Sequence, residues 1–214
     1  MFKAKLYCIT CETKELNYDE QVEKACEGGA DAVLFKPRNL TAKEILFFGQ
    51  RIKDICAERK ALFILNDRPD LALALNCDGV HLGQNDIPIE WARQVLGGIK
   101  VVGRTASSLG QATSAAKESA DYIMLGPIYS APEYSKKETV NIDLIRMVKD
   151  RVKIPVMAFG GIGMDNAREI LDAGADGIAV SRAVCGAKDA REAAAALKAK
   201  ISGARTAGTK YTKV

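Results

Sequence analysis

The sequence predicts an α/β fold, a single-domain (β/α)8 TIM barrel, on three observations. Short apolar runs alternate with amphipathic segments along most of the chain. The alternation repeats eight times in 214 residues, which favours closure into a barrel over an open doubly wound sheet. A tripeptide echo recurs at spacings of about two β/α units: Ala30-Asp31-Ala32, Cys77-Asp78-Gly79, Ala120-Asp121-Tyr122 and Ala175-Asp176-Gly177.

The apolar runs fall at residues 6–10, 32–35, 62–65, 79–82, 100–103, 122–126, 156–159 and 177–180. They lack clean polar–apolar alternation, as parallel strands do when both faces are covered. Helices are expected at 18–27, 42–59, 68–75, 89–96, 109–119, 142–152, 165–173 and 187–201. Thr41 opens the second of these with Glu44 three residues on, the spacing of a capping box. Gly29 and Gly174 stand where helix C-termini call for a left-handed residue.

With 48% apolar and 27% charged residues, the composition excludes a disordered chain and a small disulfide scaffold. Residues 1–202 are expected to form the barrel. Residues 203–214 carry Arg205, Lys210 and Lys213 and no acid, and are expected to be a disordered tail. That tail supplies most of the net charge of +4, so the nearly neutral body argues against nucleic-acid binding. No apolar run approaches the roughly 18 residues that span a bilayer. No signal-peptide core opens the chain, so no membrane partner and a cytoplasmic location are expected. Six unevenly spaced cysteines then read as small buried apolar residues. Cys8 and Cys11 have redox-motif spacing but lie on a strand, not at a helix start.

In such barrels the chemistry sits where strands end, so the residues after each run matter most. After the second come Lys36 and Arg38, which alternate on an extended stretch and suit a phosphate or pyrophosphate, or else form a solvated basic loop. After the third come Asn66 and Asp67; after the fourth, Gly83-Gln84-Asn85-Asp86. Two carboxylates on neighbouring strands can share one hard cation; alternatively Asp67 caps a helix and Asp86 makes a turn. Thr105, Ser107 and Ser108 follow the fifth, as phosphate ligands or helix caps. The longest loop follows the sixth and carries Ser135, Lys136 and Lys137. Gly160-Gly161-Ile162-Gly163 and Ser181-Arg182-Ala183 follow the seventh and eighth, the usual phosphate site of this fold. His81, the sole histidine, is expected to pack inside the barrel, and Trp91 in the outer core. With one His and no clear partner, triad chemistry has little support.

Several segments, in order and spacing, resemble the thiamine phosphate synthase family: Leu6-Tyr7-Cys8-Ile9-Thr10, Leu65-Asn66-Asp67, Val80-His81-Leu82-Gly83-Gln84-Asn85-Asp86, Leu125-Gly126-Pro127-Ile128-Tyr129, Ala158-Phe159-Gly160-Gly161-Ile162 and Gly174-Ala175-Asp176-Gly177. The resemblance covers about residues 4 to 200. It implies a Mg²⁺-dependent transferase that joins hydroxymethylpyrimidine pyrophosphate to hydroxyethylthiazole phosphate, releasing pyrophosphate. It implies Asp67 and Asp86 as metal ligands, and Lys36, Arg38, Asn66 and Thr105 as binders of the pyrimidine pyrophosphate. Lys136 would neutralise the leaving group, with Ser135 beside it. Gly161, Ser181 and Arg182 would hold the thiazole phosphate. A homo-oligomer, a dimer, is expected by the same resemblance.

The chain departs from that pattern at residues 34–38, where Lys and Arg are exchanged and a Gln is lost. It departs also at Cys11, at Ser107 and in the sixth loop. Two alternatives therefore stay open: an isomerase like thiazole tautomerase, and a non-catalytic paralogue that binds a phosphorylated ligand. Asp86 and the Ser at 107 speak against the isomerase.

Overall fold

A computed structural model describes residues 4–134 and 138–203. Eight parallel strands close into a barrel in sequence order, each paired with its neighbours and β1 with β8. The chain runs β1 (Leu6–Ile9), α1 (Tyr18–Glu27), β2 (Ala32–Phe35), α2 (Ala42–Arg59), β3 (Leu62–Asn66), α3 (Pro69–Ala74), β4 (Gly79–Leu82) and α4 (Ile89–Leu96). It continues β5 (Val101–Ala106), α5 (Leu109–Lys117), β6 (Tyr122–Leu125), α6 (Asp143–Arg151), β7 (Val156–Phe159), α7 (Ala167–Asp172), β8 (Gly177–Val180), α8 (Arg182–Cys185) and α9 (Ala190–Ser202). A 3-10 turn, Pro132–Tyr134, lies in the loop after β6.

Two apolar layers follow from strand alternation. Tyr7, Ile9, Leu34, Ile64, Tyr122, Met124, Met157 and Phe159 fill the barrel interior. Leu6, Val33, Phe35, Phe63, Leu65, Ile123, Leu125 and Ile178 face outward against the helices. Each fully buried Leu, Ile or Phe contributes about 1.5–3 kcal/mol of transfer free energy. All six cysteines are buried and unbridged, as expected.

The echo has a structural cause. Asp31, Asp78, Asp121 and Asp176 each precede an even-numbered strand. Each carboxylate accepts the backbone N–H of the residue that opens or lies one inside the preceding strand. Leu6 donates to Asp31 at 2.9 Å, and Phe63, Val102 and Val156 donate to Asp78, Asp121 and Asp176 at 2.7 Å each. The four clamps sit at the N-terminal ends of the strands and satisfy amides that the barrel rim would otherwise leave unpaired. Arg93 and Lys149 add ion pairs to Asp121 and Asp176 at 2.6 and 2.7 Å.

The capping box on α2 forms, with Thr41 Oγ1 accepting from Glu44 N and the Glu44 carboxylate accepting from Thr41 N. Gly29 and Gly174 adopt φ of 90° and 103°, as helix ends of this kind require.

Three expectations need correction. The fifth strand runs on to Ala106, so Arg104 and Thr105 lie within it; their polarity hid its end. α8 was not expected, because four residues carry too little periodicity to be seen. Trp91 is 54% exposed on α4, outside the core. Among the described residues no helix is long and apolar enough to cross a membrane.

Candidate active site

A cavity of about 560 Å³ opens at the C-terminal ends of the strands. Its volume suits a small organic substrate. Lys36, Asn66, Asp67, Asp86 and Thr105 line it together with His81, Gln84, Ser107, Gln111 and Glu138. Ile9, Leu34, Met124 and Phe159, the top layer of the barrel interior, form its apolar floor.

Asp67 follows β3 in the left-handed region at φ 65°, a conformation Asp tolerates better than most residues. Its N–H donates to His81 O at 2.9 Å, which ties the turn to β4. It does not cap α3; Arg68 holds that position without a side-chain cap. Asp86 Oδ2 accepts the Gly83 N–H at 2.6 Å, fixing the carboxylate beside the end of β4. Arg104 braces this loop from β5, donating to Ile87 O at 3.0 Å. The Gln84 side-chain amide donates to Thr105 O.

The two carboxylates meet. Desolvation in the cavity, then the hydrogen bond and charge of Asp86, raise the Asp67 carboxyl to about 6, while the Lys36 ammonium opposes the rise. Two crowded carboxylates with a shared preference for positive charge form an all-oxygen donor set suited to a hard divalent cation. Among the described residues no cluster of three or more His, Cys, Asp or Glu stands ready to enclose a metal. A cation here would complete its shell with water and substrate oxygens, the habit of Mg²⁺.

Behind the carboxylates runs a polar relay that the sequence did not reveal. Gly103 has no Cβ, and one placed there would lie 2.1 Å from the Tyr122 ring. Tyr122 therefore fills the barrel from β6, and its Oη lies 3.0 Å from His81 Nδ1. His81 Nε2 lies 2.8 Å from Thr105 Oγ1 at the cavity wall. Full burial, then the charges of Lys36 and Arg104, push the His81 imidazole down to about 3. It is a neutral scaffold inside the barrel, as expected, with a link to the site that was missed. A His on the strand between those that carry Asn66 and Thr105 was the only available signal.

The remaining expected residues divide. Gly161, Ser181 and Arg182 line a separate small cavity at the ends of β7 and β8, with Glu133. Gly161 adopts φ 60°, and a Cβ there would meet Tyr129 Cβ at 2.7 Å. Glycine thus lets the loops after β6 and β7 touch. Arg38 and Lys36 line a third cavity with Cys11, Glu12, Glu133, Ser181 and Arg182. Arg38 is thereby placed toward Arg182, while Lys36 reaches both this cavity and the carboxylates. Ile9 borders all three cavities. Ser108, not Ser107, caps α5 by accepting the Gln111 N–H at 3.2 Å. Ser135 and Lys136 lie outside the described residues, as does the expected tail beyond residue 203.

The thiamine monophosphate synthase family model matches residues 6–184. The chain belongs to the thiamine monophosphate synthase family. It is 39% identical over 196 residues to the thiamine-phosphate synthase of Pyrococcus furiosus, covering 92% of this chain and 94% of the relative. The thiamine-phosphate synthase of Methanocella arvoryzae is 38% identical over 208 residues, with 95% and 97% covered. A solved thiamine phosphate pyrophosphorylase from Pyrococcus furiosus superposes with a TM-score of 0.87 at 38% identity, covering 94% of this chain and 96% of that one. Asn66, Asp67 and Asp86, expected from separate motifs, line one cavity.

Proposed function

We propose that this chain is a thiamine phosphate synthase that joins hydroxymethylpyrimidine pyrophosphate to hydroxyethylthiazole phosphate and releases pyrophosphate. One observation carries the reading. The Asp67–Asp86 pair with Lys36 lies in one cavity, and the Gly161–Ser181–Arg182 cavity lies next to it across Ile9. Separate seats for the anionic ends of two substrates, meeting at Ile9, are what this reading needs.

Asp67 and Asp86 would hold the metal, taken here as Mg²⁺, which supplies charge neutralisation at the departing pyrophosphate. Lys36 adds positive charge to the same place. Asn66 and Thr105 offer hydrogen bonds to pyrophosphate oxygens. If Tyr122 donates to His81 Nδ1, then Nε2–H donates to Thr105 Oγ1 and frees the Thr105 hydroxyl proton for an anionic oxygen. Lys136 and Ser135 join this machinery by resemblance. Gly161, Ser181 and Arg182 orient the thiazole phosphate, so that its ring nitrogen faces the pyrimidine methylene carbon over the apolar floor. His81 is too buried and too weakly basic to move protons near neutral pH. Catalysis is then positional and electrostatic, with no protein nucleophile.

The same reading takes the chain as a cytoplasmic homodimer. Six unbridged thiols support the first, and exposed Phe47, Leu73 and Trp91 on α2, α3 and α4 support the second.

Formation of thiamine phosphate from the two substrates, followed by chromatography, tests the reading. Product that requires both substrates is expected. Isomerisation of a thiazole phosphate alone, without metal, would replace the reading with the tautomerase one.

A further inference from the structure

Glu133 sits on the 3-10 turn Pro132–Tyr134, yet its Oε1 is buried. The carboxylate pairs with Arg182 Nε, whose own side chain is largely open to solvent. The pair closes the small cavity bounded by Gly161 and Ser181. That cavity holds only about 60 Å³, room for about two water molecules. The carboxylate also reaches the neighbouring cavity of Lys36 and Arg38. A carboxylate thus stands among the cations that a phosphate would need. Carboxylate and phosphate oxygens use the same face of a guanidinium, so both cannot hold Arg182 in this way at once. The stems of this loop are tied down, Ile128 N donating to Phe159 O at 2.9 Å and Val140 N to Pro127 O at 2.8 Å.

We propose that Glu133 is an internal stand-in for the phosphate of the thiazole substrate, holding Arg182 until that phosphate displaces it. Glu133 thereby sets the affinity for the phosphorylated acceptor and makes a dianionic group the condition for entry. The inference rests on the reading of the Arg182 cavity as the thiazole-phosphate seat.

The test compares the intact protein with Glu133→Gln, alone and in an Arg182→Ala background. In Glu133→Gln the KM for thiazole phosphate should fall about three- to ten-fold, the scale of removing one competing ion pair. The KM for the pyrimidine pyrophosphate should stay where it is. In the Arg182→Ala background the same substitution should leave the thiazole-phosphate KM unmoved. A KM that is unchanged or raised in Glu133→Gln overturns the proposal; a raised one makes Glu133 a brace for Arg182. If no variant turns over, the synthase reading fails, and inorganic phosphate still decides this inference. A larger phosphate-induced rise in Tm for Glu133→Gln than for the parent supports it, and an equal or smaller rise overturns it.

Discussion

His81 Nε2 lies 2.8 Å from Thr105 Oγ1, and that contact joins the barrel interior to the substrate cavity. The imidazole is buried neutral, with its basicity pushed down to about 3 by desolvation and by Lys36 and Arg104. In the unfolded chain it protonates near 6.5. Between pH 6.5 and about 3 the unfolded state therefore binds a proton that the folded state refuses, and stability falls as pH falls through that window. Above pH 6.5 the effect is absent. Between pH 7 and pH 5 the parent should lose about 2 kcal/mol more than His81→Gln. Urea unfolding at the two pH values checks this, and parallel losses in both proteins would refute it.

Burial raises the Asp67 carboxyl to about 6, with the hydrogen bond and charge of Asp86 adding to the rise, so the two carboxylates repel one another once both are ionised. Asp67→Asn removes that repulsion. At pH 8 with chelator its Tm should lie above the parent's, while the rise in Tm that Mg²⁺ gives the parent should be lost. Asp67→Ala and Asp86→Ala should each reduce turnover at least about 100-fold with the fold retained. Full activity of either at limiting Mg²⁺ would remove the pair from the site.

Lys36 and Arg38 were expected to act together on pyrophosphate; they share one cavity, and only Lys36 also lines the cavity of the two carboxylates, which divides their reach. Lys36→Ala should raise the KM for the pyrimidine pyrophosphate about ten-fold or more and affect the thiazole phosphate less. Arg38→Ala should act mainly on the thiazole phosphate, because its cavity is the one shared with Ser181 and Arg182. Steady-state kinetics with each substrate varied in turn would expose identical effects, which would contradict the division.

Asp176 clamps β7 to β8, accepting Val156 N–H at 2.7 Å and pairing with Lys149. Asp176→Ala leaves that amide without its acceptor and should cost about 1–3 kcal/mol. The clamp lies at the end of the barrel away from the cavity, so both KM values should stay unchanged. A shifted KM would mean that the lower rim is coupled to the site.

Much of this was legible in the sequence. Uniform burial left the strands as apolar runs, and the β2, β4, β7 and β8 limits followed directly. Capping chemistry did the same for α2. Asp67 and Asp86 could be placed together because neighbouring strand ends are neighbours in space. The Asp echo was visible but mute, since an N–H from another strand leaves no local mark. β5 overran its apolar stretch because Thr105 faces the polar cavity and Arg104 reaches the loop after β4. The Glu133–Arg182 pair joins residues far apart in the chain and has no periodic signature.

The central claim is that the two carboxylates, with a divalent cation, drive loss of pyrophosphate to a thiazole acceptor. The direct measurement is pyrophosphate release by the purified protein with Mg²⁺, with each substrate omitted in turn, and with chelator. Release that needs both substrates and stops on chelation is predicted. Release that continues in chelator, or no release while thiazole phosphate still binds, would contradict it.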